Sequence, residues 1–110
     1  MNLNITARHF KLKSDLKDYI EGKMTKLPKF HENIINAEVI MGWEKMQRNV
    51  EIRLHVYNDK IIIEEKSEDL RKSFDLALNR VERQLVKYNN KIKEKRKDKN
   101  HVEESIKVNV

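Results

Sequence analysis

Apolar and polar residues alternate along four short stretches of the chain, which is the pattern of half-buried β-strands. These stretches are residues 3–7, 37–44, 50–57 and 60–65. The last three follow one another closely, with only residues 45–49 and 58–59 between them, so they predict an antiparallel meander joined by short turns. The first stretch stands apart, because a long segment of different periodicity separates it from the second.

Two further segments repeat apolar residues at intervals of three or four, as an amphipathic helix does. One begins at Ser14, whose hydroxyl is expected to cap the helix, and continues to Pro28. The other begins at Ser67 or Asp69 and extends to Lys97, roughly 43 Å at about 1.5 Å per residue, so its last turns are expected to project beyond the sheet. The predicted fold class is therefore α+β, with the order β-α-β-β-β-α and two helices packed on one face of a four-stranded sheet.

The chain length of 110 residues suits one domain. We assign residues 1–97 to this domain and residues 98–110, where the helical periodicity fades, to a flexible carboxy-terminal tail. Cysteine is absent, which excludes disulfides and thiolate metal sites, and the expected location is the cytoplasm. Apolar runs are too short to cross a membrane, and no signal peptide is recognisable at the amino terminus.

Charge is distributed unevenly along the chain, which has a net charge of +6. Residues 1–30 carry 7 basic and 3 acidic side chains and residues 69–97 carry 10 and 4, whereas residues 31–68 carry 5 and 8. The positive charge therefore belongs to the two helical segments and is excluded from the predicted meander. Solubility alone does not require such segregation, so a polyanionic partner is indicated.

On the last helix, four cations fall within one band of about 80° when Val81 is taken as the buried direction. They are Arg80, Arg83, Lys87 and Lys91. Their spacing of roughly 5 to 6 Å is close to that of successive phosphates on a nucleic-acid strand. Exposed charges usually serve only solvation, but solvating faces mix both signs and this flank is nearly all positive. Lys23 and Lys26 on the first helix are expected to form a neighbouring patch.

The residue types needed for catalysis or metal binding do not converge. The four histidines are scattered without metal-ligand spacing, and they are His9, His31, His55 and His101. Glu64 and Glu65 are adjacent on a strand and point to opposite faces, which excludes a paired acid and base. Two glycines cannot make a glycine-rich phosphate loop. We therefore predict no enzyme, no cofactor, no metal and no small-molecule substrate.

Several segments carry residues in a recognisable pattern. They are Leu3, Asn4, Ile5, Thr6, Arg8 and His9, residues 14–16 and 23–27, and Glu64, Glu65, Asp69, Phe74, Asp75, Val81, Glu82, Arg83, Gln84, Leu85, Lys87 and Lys91. In these residues the chain resembles the hibernation-promoting factor family of bacterial ribosome-binding proteins. The resemblance covers residues 1 to about 95 and is most specific in the carboxyl half. Arg71 and Lys72 depart from the family pattern and make the start of the last helix more basic.

The resemblance implies a double-stranded-RNA-binding-like domain that binds the small ribosomal subunit between its head and body. There the family occupies the channel of messenger RNA and the tRNA anticodon ends, blocks both and inhibits translation in idle cells. Residues carried over as contacts to ribosomal RNA are Lys23, Lys26, Arg80, Arg83, Lys87 and Lys91. The chain is either a short form, which relies on another factor for ribosome pairing, or the amino-terminal part of a long form.

Two alternatives stay open. A general duplex-RNA-binding module would share the fold, although such domains usually place lysines at the start of the final helix, which is acidic here at Glu68 and Asp69. An interaction module or membrane-surface helix is the other alternative, but the exposed flank lacks the Trp and Phe that insertion needs.

Overall fold

The computed structural model describes the backbone of residues 1–109 and the side chains of residues 1–93. The elements in chain order are β1 (Asn2–Arg8), α1 (Ser14–Met24), α2 (Leu27–Phe30), β2 (Ile34–Glu44), β3 (Gln47–Val56), β4 (Asp59–Ser67) and α3 (Leu70–Asn109). The predicted α+β order is confirmed, with α2 as a one-turn addition. The predicted boundary at residue 97 and the tail of residues 98–110 fall outside the described side chains.

The four strands form one mixed sheet in the order β1-β2-β3-β4. β1 pairs with β2 in parallel, because the chain crosses over through α1 between them, while β2, β3 and β4 form the antiparallel meander. The β2–β3 connection is shorter than predicted, since pairing extends to Glu44 and Gln47 and leaves two residues in the turn. Lys45 and Asn58 adopt positive φ, as such short turns require.

The core lies between one face of the sheet and the two long helices. Val39, Ile52 and Ile63 stand side by side on three strands, because strand alternation sends every second side chain to the same face. The helices cover this row with buried side chains at three- and four-residue intervals. These are Ile20 and Met24 from α1 and Phe74, Ala77, Val81 and Leu85 from α3. The helices therefore pack on one face, as predicted, and the helical side chains described up to residue 93 leave the opposite face open.

The ends of α1 differ from the prediction. The cap position is Lys13, whose backbone is extended, and no side chain caps the helix, so Ser14 is the first helical residue rather than the cap. The helix ends at Met24 instead of reaching Pro28. Pro28 lies in the first turn of α2, where a residue without a backbone N–H loses no helical hydrogen bond.

The start of α3 is capped by Asp69, whose Oδ2 accepts the backbone N–H of Lys72 at 3.0 Å. Ser67 was the other predicted cap, and its hydroxyl lies instead 2.6 Å from the buried hydroxyl of Ser73. Ser73 in turn donates to the carbonyl of Arg48 at 2.7 Å, which ties the first turn of α3 to the sheet.

The far part of α3 passes the end of the sheet. The Tyr88 hydroxyl donates to the carbonyl of Tyr57, in the turn after β3. Ile92, one turn later, is still partly buried against the core. The helix therefore overhangs the edge formed by the β3–β4 turn and the segment before β2.

Candidate nucleic-acid interface

Of the four cations predicted on the last helix, Arg80, Lys87 and Lys91 lie on the flank of α3 that faces the edge strand β4, and Arg83 is exposed on the same helix. We call this set, Arg80, Arg83, Lys87 and Lys91, the ladder. The Arg80 guanidinium reaches Glu65 on β4, with 2.7 Å between Nη1 and Oε1. Lys87 and Lys91 line a hollow of roughly 320 Å³ whose opposite wall is β4, residues 59–63. All four ladder residues are exposed, so their charges are available to a partner.

Arg80 differs from the other three members of the ladder. Glu65 lies in the row of Met41 and Val50 on the helix-covered face, so its partly buried carboxylate holds the guanidinium in place. Within the described side chains, residues 1–93, Arg83, Lys87 and Lys91 take part in no ion pair. An exposed pair such as Arg80 with Glu65 contributes about 0 to 1 kcal/mol, so a phosphate could displace the carboxylate.

Lys23 belongs to a second cationic cluster on the opposite flank of α3. Its ammonium lies 5.7 Å from the centroid of the Tyr19 ring, and the Arg71 guanidinium lies 4.3 Å from the same centroid. Both cations gain from the negative face of the ring. Lys26 is exposed at the start of α2. We call Lys23, Lys26 and Arg71 the α1 patch.

The Tyr19 side chain joins α1 to α3. Its hydroxyl donates to Asp75 Oδ1 at 2.6 Å, and its ring meets Phe74 edge to face at 6.0 Å between centroids. The hydrogen bond to the Asp75 carboxylate raises the pKa of Tyr19 above 10.0, desolvation and the charge of Asp75 add to the shift, and Arg71 opposes it. This contact fixes the position of the α1 patch relative to α3.

The six predicted contact residues therefore form two groups rather than one continuous patch. Arg80 contacts β4, while Arg71 and Asp75 of the same helix contact Tyr19 of α1. The exposed crest of α3 separates the two flanks. Arg71 was singled out in the sequence only as an unusually basic residue at the helix start, and its place beside Tyr19 depends on the packing of two distant segments.

The described part of the chain was also compared with the requirements of metal binding and membrane spanning. It contains no group of three or more His, Asp or Glu side chains placed to hold a metal ion. The His31 ring has a structural contact, with Nδ1 2.7 Å from Asn89 Nδ2. No described helix combines the length and the apolar character needed to cross a membrane.

The fold and its surfaces define a small α+β domain with two helices on one face of a mixed sheet and cationic groups on both flanks of the last helix. A family model described as Sigma 54 modulation protein / S30EA ribosomal protein matches residues 3–93. The chain belongs to this family. The family description and the relatives named below denote ribosomal and hibernation proteins, which confirms the predicted resemblance and the prediction that the protein is not an enzyme.

Two curated relatives illustrate the similarity. The ribosome hibernation promoting factor of Azotobacter vinelandii is 31% identical over 91 residues, which cover 83% of this chain and 85% of the relative. The ribosome hibernation promoting factor of Escherichia coli K12 is 27% identical over 94 residues, which cover 86% of this chain and 99% of the relative.

Two solved structures share the fold. A ribosomal subunit interface protein from Coxiella burnetii superposes with a TM-score of 0.76 at 23% identity, covering 82% of this chain and 99% of the other. The Protein Y N-terminal domain of Thermus thermophilus gives a TM-score of 0.72 at 24% identity, covering 80% of this chain and 99% of the other.

Proposed function

We propose that this protein is a ribosome hibernation factor that binds the small ribosomal subunit in the decoding and messenger RNA channel region. It inhibits translation in idle cells by occupying the space that tRNA and messenger RNA need. The names of the relatives support the ribosomal partner. The site of action is the cytoplasm, where ribosomes translate.

The observation that carries this proposal is the presence of cations on both flanks of α3. Arg83, Lys87 and Lys91 follow one another along α3 with a rise of about 6 Å over each step of four residues, which suits a row of phosphates. Lys23 and Arg71 lie on the other flank beside Tyr19. A domain with cations on two opposite flanks suits a cleft between two segments of RNA, because each flank then contacts the phosphates of one side of the cleft.

The proposed mechanism is binding alone and involves no chemical reaction. Each lysine or arginine that meets a phosphate releases condensed counterions, which favours binding at low salt. The sheet and the packed helices then fill the cleft and sterically exclude tRNA and messenger RNA. Because both flanks are assigned to one subunit, ribosome pairing is expected to require another factor.

A co-sedimentation experiment with purified small subunits tests the ladder. We expect R83E/K87E to abolish binding, because two attractive contacts become repulsive while both side chains stay exposed and the core is untouched. The matched control is K11E/K45E, which makes the same change in net charge at exposed positions of the opposite end. Circular dichroism should show all variants folded. Equal affinity of R83E/K87E and the wild type would refute the ladder as a contact surface.

The alternative is a general duplex-RNA-binding module. The two hypotheses differ in the cations they use: Arg71 and Lys72 lie in the first turn of α3, where duplex-binding domains usually place cations, whereas the ladder begins nearly three turns later, at about 3.6 residues per turn, with Arg80. Affinity for a naked RNA duplex equal to that for small subunits would favour the alternative, and a clear preference for small subunits would favour hibernation.

A further inference from the structure

A groove runs beneath α3 where the helix overhangs the end of the sheet. It consists of two adjoining hollows of roughly 270 Å³ and 290 Å³. Asn33 and Ile92 line both hollows and therefore stand between them, with Ile92 packed against the core. Tyr57 lines only the first hollow and Phe30 only the second, so one aromatic ring stands toward each end. We call this feature the overhang groove.

The two rings are more exposed than aromatic side chains of a folded domain usually are. Phe30 is 77% exposed and Tyr57 is 61% exposed. The backbone around them is nevertheless held in place, because Tyr88 donates to the carbonyl of Tyr57 and Asn89 contacts His31, the neighbour of Phe30. The groove is therefore a fixed support that presents two rings to solvent.

Polar side chains of the groove suit the edges of nucleobases. The amides of Asn33, Asn58 and Asn89 each offer a donor and an acceptor, the combination that base edges require. Lys91 and Lys93 also line the hollows.

The lining of the groove carries two lysines, Lys91 and Lys93, and two acids, Glu32 and Asp59. The groove itself is therefore balanced in charge. The excess positive charge comes from the adjoining hollow, where Lys87 stands beside Lys91.

The overhang groove is continuous with the ladder. The hollow between α3 and β4 shares Tyr88 and Lys91 with the first hollow of the groove. At the far end, Phe30 closes the short helix α2 that begins after Lys26 of the α1 patch. A strand whose phosphates follow the ladder would therefore meet the two exposed rings next and Lys26 after them.

We propose that the overhang groove binds unpaired nucleotides of RNA, with bases stacked on Phe30 and Tyr57 and edges contacted by the asparagine amides. The proposal rests on the proposed function and adds the class of RNA that the domain recognises at this end. Stacking needs bases free of a duplex, because only splayed bases present their faces to a side chain.

Equilibrium binding of the full chain to two labelled RNAs tests the proposal. One probe is an unstructured oligoribonucleotide, and the other is a hairpin duplex with the same number of phosphates. We expect F30A/Y57A to weaken binding of the unstructured probe by about 30-fold or more and to leave the duplex unchanged, as the loss of two stacked bases predicts. F30Y/Y57F keeps both rings and should retain the affinity.

M46A is the control for the general effect of removing an exposed apolar side chain. Met46 lies in the β2–β3 turn and is 86% exposed. Ultraviolet crosslinking of the wild type to the unstructured probe should yield crosslinked peptides that contain Phe30 or Tyr57. Unchanged affinity of F30A/Y57A, an equal loss for both probes, or crosslinks confined to other peptides would overturn the proposal.

Small-subunit binding separates this proposal from the proposed function. If R83E/K87E loses small subunits while F30A/Y57A keeps full affinity for the unstructured probe, the groove proposal fails and the proposed function survives. If the wild type binds the probe through its rings but ignores small subunits, the groove proposal survives alone. If F30A/Y57A loses small subunits but binds deproteinised ribosomal RNA normally, the groove holds a protein and the proposal is overturned.

Discussion

At the scale of single residues, Gly42 lies close to a neighbouring side chain on the sheet face that the helices leave uncovered. Gly42 lies on β2 opposite Asn49 of β3. A Cβ atom at Gly42 would stand 2.5 Å from Asn49 Oδ1, an oxygen that is buried and finds no hydrogen-bond partner among the described residues. The φ of Gly42 is not positive, so its backbone conformation does not require glycine, and another residue here would displace only the end of the Asn49 side chain.

We expect G42A to lower the free energy of unfolding by at most about 1 kcal/mol, the low end of the cost of overpacking, because the Cβ atom meets the end of a side chain that can rotate away. G22A is the matched control, because Gly22 lies in α1 with nothing near its Cβ position. It should raise the free energy of unfolding by about 0.5 to 1 kcal/mol through helix propensity. Urea titration measures both. The double variant G42A/N49A should recover much of the loss, and no recovery would contradict the proposed clash.

At the scale of elements, polar contacts between distant segments add to the apolar packing that holds the helices in place. Tyr19 fastens α1 to α3, Tyr88 fastens α3 to the turn after β3, and Asn89 fastens α3 to the loop after α2. Burial raises the pKa of Tyr88, with the charge of Asp59 adding to the shift. Both tyrosines therefore bind their protons more tightly in the folded protein than in the unfolded chain.

The Tyr19 contact predicts a dependence of stability on alkaline pH. The folded-state pKa of Tyr19 lies above 10.0. The protonated hydroxyl therefore makes its full contribution to the free energy of unfolding below pH 10, and this contribution is lost as pH rises through the folded-state pKa. Denaturant titrations between pH 8 and about 11 should therefore show a falling free energy of unfolding. Y19F lacks the ionisable group and should show a shallower decline. An equal decline in both proteins would exclude Tyr19 as a source.

At the scale of the whole molecule, the net charge of +6 is less informative than its arrangement. The ladder and the α1 patch flank α3, while acidic residues are concentrated in the meander. Arg80 and Glu65 show that a cation in a sequence pattern can already be neutralised by another strand. Salt dependence therefore measures how many of these cations reach phosphates.

We expect the affinity for RNA to fall with salt, with a slope of log affinity against log salt of about −0.7 to −0.9 per phosphate contacted. R83A/K87A should make this slope shallower by about 1.4 to 1.8, because two contacts are removed. F30A/Y57A should weaken binding to the unstructured RNA without changing the slope, since stacking releases few counterions. Identical slopes for R83A/K87A and the wild type would show that neither residue contacts a phosphate.

Helix boundaries were the least predictable part of the fold. Apolar spacing continues through Met24 and Leu27, so the sequence pattern merges α1 and α2 into one helix. Thr25 and Lys26 keep helical dihedral angles, but Pro28 has no backbone N–H to donate to the carbonyl of Met24, so the hydrogen-bond pattern of α1 is interrupted there. Arg71 was equally hard to assign from the sequence, because its partner Tyr19 lies on another helix.

The sequence by itself determined the strands, the two long helices, their order and the ladder, because these depend on periodicities of two and about 3.6 residues within continuous segments. Only the tertiary structure decided which flank faces β4, which cation is paired and where the overhang groove forms. Those features depend on contacts such as Tyr19 with Asp75 and His31 with Asn89, which join residues 56 and 58 positions apart. No local pattern encodes such contacts, since they exist only once the helices have packed on the sheet.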